Sequence, residues 1–129
     1  MTIQTRFMEW ICGVIGEWDA IAIGPPAEGS MEMQTAAPGD KGSVDDQYLD
    51  RSSRRHLTLR LVCKDTAGQA LDRLFDTCNR LERMREFPQQ EGYQILGFQV
   101  ESDPQFVERD EPGGLDTYSA VLRAYYYYF

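Results

Sequence analysis

The sequence predicts an α+β fold: a two-layer sandwich with two helices on one face of a mixed or mostly antiparallel sheet of four to five strands, and a long extended arm. Three observations predict it. From Arg55 to Lys64, Leu57, Leu59, Leu61 and Cys63 fall on every second residue, with His56, Thr58 and Arg60 between them and Val62 as the exception. That is a strand with one buried face. Directly after it, Thr66 and Gln69 form a capping-box pattern, and Ala67, Ala70, Leu71, Leu74, Cys78 and Leu81 recur at helical spacing. The remaining strand signals cluster after this helix, which favours a mixed or antiparallel sheet over a doubly wound one.

The first element runs from about Thr2 to Trp18, where Ile3, Phe7, Trp10, Ile11, Val14, Ile15 and Trp18 make one wide apolar stripe. Gly13 and Gly16 each lower its helix propensity by up to about 1 kcal/mol, so its last turns depend on packing. Ala20 to Ile23 is a strand fragment stopped by Gly24-Pro25-Pro26. Ser30 to Thr35 alternates, with Met31, Met33 and Thr35 opposite Glu32 and Gln34, and reads as the first full strand. Residues 36–54 turn to Gly, Pro, Asp, Ser and Lys, a long loop or arm that exceeds what joining two strands needs.

Beyond the second helix, Phe87-Pro88 is the expected stop, because the proline disfavours helical geometry in the residue before it. Tyr93 to Glu101 resumes strand character, with Leu96, Phe98 and Val100 on one face and Tyr93 and Ile95 on the other. Asp103-Pro104 is expected to break it. Gln105 to Arg109 adds a short strand, and Glu111-Pro112-Gly113-Gly114 carries hairpin-turn chemistry. In the last strand Tyr118, Ala120, Leu122 and Ala124 oppose Ser119, Val121 and Arg123, before Tyr125, Tyr126, Tyr127, Tyr128 and Phe129 put rings on both faces.

With 129 residues, 42% of them hydrophobic and 26% charged, the chain fits one globular domain, 1–129. A net charge of −8 argues against general affinity for nucleic acid, which needs a basic stripe. No apolar run approaches the roughly 20 residues that cross a bilayer, and MTIQTRFMEW carries charge where a signal peptide needs an apolar run, so a cytoplasmic protein without a membrane partner is expected. Cys12, Cys63 and Cys78 are odd in number, lack CxxC spacing and lie at apolar positions, as buried reduced thiols do.

Little in the chain has the pattern of a catalyst. The one histidine, His56, alternates with strand leucines and reads as an exposed strand residue more readily than a general base. Asp45, Asp46, Asp50 and His56 supply metal-ligand types but lack the glycine and terminal glutamate of a calcium loop. No phosphate-loop motif is present. No enzyme, catalytic residue, cofactor or metal is therefore expected.

What stands out is charge segregation: Asp45, Asp46 and Asp50, then Arg51, Arg54 and Arg55, with Tyr48 and Leu49 between. One reading is a solvated loop whose exposed pairs contribute about 0 to 1 kcal/mol. The other is self-complementarity between neighbouring copies, which makes Asp45, Asp46, Tyr48, Asp50, Arg51, Arg54 and Arg55 candidates for an inter-subunit interface. Tyr125, Tyr127 and Phe129 are candidates for a partner surface, since tyrosine covers apolar area while keeping a polar tip.

At VDDQYLDRSSRR, Val44 to Arg55, the sequence resembles the siphophage tail terminator or minor capsid family, whose arm reads Tyr-x-Asp-Gly-Ser followed by basic residues. The likeness continues through Leu57, Leu59, Leu61 and Val62, and through Ala70, Leu71, Leu74 and Leu81. The Gly24-Pro25-Pro26 break, Met31-Glu32-Met33, and Asp110, Glu111 and Tyr118 follow in the family's order. In layout it covers nearly the whole chain, and the arm is its specific part. Arg51 stands where the family prefers glycine.

The resemblance implies a virion structural protein: a ring, usually hexameric, on the head-proximal end of the tail tube. The ring stops tube polymerisation and docks head completion or connector proteins. Its partners would be copies of itself, the tail tube protein and a connector protein, and it would lie at the head-tail interface of the virion, after assembly in the host cytoplasm. DNA would pass a negatively charged lumen without specific binding. The alternatives are a tail-tube or head-tail connector subunit, or a small-molecule-binding α+β domain.

Overall fold

A computed structural model describes residues 3–19, 21–23, 30–35, 43–87, 89–90, 92–110 and 114–129. In chain order these form α1 (Ile3–Ile15), β1 (Ile21–Ile23), β2 (Ser30–Thr35), β3 (Ser43–Gln47), β4 (Ser53–Asp65), α2 (Ala67–Arg83), β5 (Gln89–Gln90), β6 (Tyr93–Asp110) and β7 (Leu115–Tyr128). All seven strands join one sheet in the order β1-β2-β4-β7-β6-β5, with β3 beside β2 on the same edge of β4. Every pairing is antiparallel except β1 with β2, so the fold is α+β. β4, β6 and β7 are long, at 13, 18 and 14 residues, β2 and β3 are of ordinary length, and β1 and β5 are short additions.

Period-two patterning decides which face is covered. Leu57, Leu59, Leu61 and Cys63 of β4 lie opposite Ala124, Leu122, Ala120 and Tyr118 of β7, which puts both sets on one face. There they join Phe7, Met8, Ile11 and Ile15 of α1 and Ala70, Leu74, Cys78 and Leu81 of α2 in a single buried cluster. Phe7 stacks on Tyr93 at 5.6 Å and meets Phe98 and Tyr126 edge-on at 6.4 and 5.5 Å. Arg73 of α2 joins the turn after α1 to the end of β4, with Nε 2.8 Å from Asp19 and Nη1 3.1 Å from Asp65. Val62, the exception to the β4 alternation, is buried on the second face, across from Glu32.

Several boundaries differ from the sequence expectation. The second helix ends at Arg83, with Met84 already extended, rather than at Phe87. Thr66 occupies the N-cap position but makes no side-chain capping bond; its amide donates to Asp65 Oδ1 instead.

β6 is one irregular strand of 18 residues that runs through Asp103-Pro104. Those two residues fall in a register irregularity between the pairs Ser102–Val121 and Gln105–Ser119, where no ladder N–H is required of the proline. A further irregularity between Ile95 and Gly97 shifts the alternation by one residue. Tyr93, Ile95 and Phe98 are consequently all buried, while Leu96, expected beside Phe98, is exposed.

The arm is likewise corrected. Residues 36–42 lie outside the described residues, but 43–54 form a β-hairpin in which β3 pairs with the start of β4.

Candidate functional site

The hairpin turn is built by local chemistry. The Arg51 amide donates to the Tyr48 carbonyl at 3.1 Å and the Tyr48 amide to the Ser52 carbonyl at 2.9 Å, leaving Leu49, Asp50 and Arg51 as a three-residue loop. Such a loop needs a left-handed residue at its third position, and Arg51 has φ +72°. A residue with a Cβ holds that left-handed conformation at a steric cost. Asp50 Oδ1 accepts from the Ser52 amide at 3.0 Å and also from the Ser52 hydroxyl, and these bonds hold its carboxyl below the usual carboxylate range.

Across the hairpin, the segregated charges meet each other. Asp46 Oδ2 lies 3.3 Å from Arg54 Nη2, and Asp45 Oδ1 lies 2.8 Å from His56 Nδ1. Arg55 alternates to the helix side, where its guanidinium lies 4.9 Å from the Tyr128 ring and its Nε donates to Ser53 Oγ at 2.7 Å. The six charged candidates therefore do not form opposed acidic and basic blocks on a free arm. Asp46 and Arg54 pair across one hairpin, and all six except the half-buried Arg55 remain exposed.

The β4–β7 register joins this hairpin to the C-terminal aromatics. Arg54 pairs with Tyr127 and His56 with Tyr125. On the face away from the helices, Tyr127 donates its hydroxyl to Ser52 Oγ, and its ring lies 5.8 Å from both Tyr48 and Phe129. Tyr125 donates to Gln99 Oε1 at 3.2 Å and its ring lies 5.8 Å from His56. Phe129 is anchored by its amide on the Gly92 carbonyl at 3.2 Å. Beside these rings is an open groove of about 580 Å³ lined by Arg54, Leu96, Gly97, Phe98, Gln99 and Tyr125. Two sets of candidates that are far apart in sequence thus form one aromatic surface.

Sequence reasoning missed five exposed apolar residues: Phe75 of α2, 40% exposed, and four at the two ends of the sheet. Leu49 at the turn is fully exposed and Leu96 is 48% exposed beside the groove. Phe106 and Val107, 55% and 44% exposed, sit far from them near the β6–β7 tip, with the Phe106 ring edge-on to Tyr118 at 5.7 Å. The signal for Leu96 was Gly97, since a glycine inside a strand often marks a bulge. At the same tip Arg109 forks onto the buried Asp116, Nε at 2.7 Å and Nη2 at 3.2 Å, which lowers the Asp116 pKa.

Among the described residues no three His, Cys, Asp or Glu side chains group as a metal site, and no helix is long and apolar enough to cross a membrane. Burial pushes the Cys63 thiol up to about 11 and the Cys78 thiol up to about 12. No protein-family model and no curated protein matches the chain.

Proposed function

We propose that the chain is a structural protein of a tailed-phage particle, a tail terminator that closes into a ring at the head-proximal end of the tail tube. The observation that carries this reading is the placement of exposed apolar side chains at two separate ends of one sheet. Tyr48, Leu49, Leu96 and Phe129 mark one end, and Phe106 and Val107 the other. Two unlike patches on one body favour head-to-tail association, which yields a ring where the rotation closes. The left-handed Arg51 at the family's glycine position supports the likeness of the hairpin. The net charge of −8, repeated around a ring, gives a lumen that repels DNA and lets it pass.

Without closure, the same two-ended geometry gives a filament, the behaviour of a tail-tube subunit. Light scattering with negative-stain imaging of the purified protein tests both. A ring of discrete mass that caps tail tubes supports the terminator, and open filaments support the tube subunit. A strict monomer that also ignores added tail tubes contradicts both.

A further inference from the structure

We infer that the β6–β7 tip of one copy docks into the Arg54–Tyr125 groove of the next, so that the ring contact is made by Phe106 and Val107 rather than by exchange of charged arms. This rests on the ring reading and names the surfaces that meet.

Three features of the molecule point to it. The tip carries exposed apolar side chains flanked in sequence by two exposed carboxylates, Asp103 and Glu108, while its cation, Arg109, is engaged by Asp116. The groove is complementary, since its lining includes exposed Leu96 and the Tyr125 ring, and its one charged member is the cation Arg54. Arg54 is also the half-exposed partner of an equally exposed carboxylate, Asp46, so an arriving acidic group can share it at little cost.

Geometry excludes the contact within one chain. Tyr118, beside Phe106, and Tyr125, in the groove, are separated by seven residues of one uninterrupted strand, about 24 Å at roughly 3.4 Å per residue. They also point to opposite faces of the sheet, Tyr118 with the helix-side set and Tyr125 away from it. The helix-side tip of one copy can therefore seat only on the outer face of another, a contact between unlike patches that propagates around a ring. Aromatic anchors in such grooves carry most of the binding energy of an interface.

The test mixes two single-cysteine additions, Phe106→Cys and Leu96→Cys, in the full chain under mild oxidation, with the parent as control for the native cysteines. A disulfide-linked dimer is expected in the mixture and not in either variant alone. Rings that give no mixed cross-link, or cross-links of equal yield in a single variant, overturn the docking while leaving the ring reading in place. Monomeric mass at every concentration overturns the ring reading and the docking with it. As a second measurement, Phe106→Ser is expected to raise the dissociation constant of assembly about tenfold or more. Phe75→Ser, at an exposed aromatic on α2, is expected to leave it unchanged. Equal weakening by both variants, or none by Phe106→Ser, contradicts the assignment. The melting temperatures of both should stay near the parent's, since both rings are exposed.

Discussion

Asp46 and Arg54 face each other across the β3–β4 hairpin, Oδ2 3.3 Å from Nη2, with both side chains about half exposed. This pairing joins one acid and one base of the segment within the chain, and strand alternation places the two neighbouring arginines on opposite faces. Arg54 borders the groove, whereas Arg55 lies against Tyr128 on the helix side.

Reversing one charge should accordingly differ from reversing the other. Arg54→Glu is expected to weaken assembly severalfold while changing monomer stability by less than about 1 kcal/mol, the usual worth of an exposed pair. Arg55→Gln should leave assembly unchanged. Sedimentation velocity and urea unfolding of both variants measure this, and equal loss of assembly would show that the two arginines share one contact surface.

Arg51 holds φ +72°, a conformation that disfavours any residue with a Cβ. Replacing it by glycine removes that strain but adds chain entropy to the unfolded state, so Arg51→Gly should gain about 0.5 to 1 kcal/mol. A rise in the urea midpoint with an unchanged slope is the expected result. A fall would mean that the arginine side chain stabilises the hairpin by more than the strain costs.

Acid should loosen both ends of the molecule. The Ser52 bonds hold Asp50 low and the Arg109 fork holds Asp116 low. Stability from a depressed carboxylate is fully present above its unfolded value, near about 3.9, and is lost as pH falls through the folded one. Asp116→Asn should therefore be less stable than the parent at neutral pH and should flatten the loss of stability below about pH 4. Chemical denaturation at pH 3, 4 and 6 compares the two slopes, and parallel curves would contradict the assignment.

At the alkaline end the thiols set the behaviour. Cys63 and Cys78, raised to about 11 and about 12 by burial, should resist alkylation at pH 8, and Cys12, only partly buried, should react first. Because these folded values lie above the unfolded value of about 8.5, the neutral thiols contribute stability that is lost as pH rises from there toward 11. Mass spectrometry of iodoacetamide-treated protein reads the order of modification. Early labelling of Cys78 would contradict its place between α2 and the sheet.

Much of the fold was legible because it depends on periodicity. The Ser30–Thr35 strand, the central strand and the second helix follow directly from alternation and helical spacing. The β3–β4 hairpin was hidden because its turn uses arginine where glycine would have announced it. In β6 the shift at Gly97 exchanges the two faces, which no strict alternation can foresee, and Pro104 is tolerated because it falls in a bulge.

The candidate site was legible only in parts. Composition and charge marked the arm and the C-terminal aromatics separately, but their union depends on the β4–β7 register that sets Arg54 beside Tyr127. The Phe106–Val107 end went unseen because its alternation is broken on both sides.

The mixed cross-link between Phe106→Cys and Leu96→Cys, read on a non-reducing gel alongside the mass of the assembly, tests the central claim most directly. The account predicts a closed oligomer, several times the 14.8 kDa of one chain, whose subunits are linked only when both variants are present. A monomer that yields no cross-link and does not bind tail tubes would contradict it.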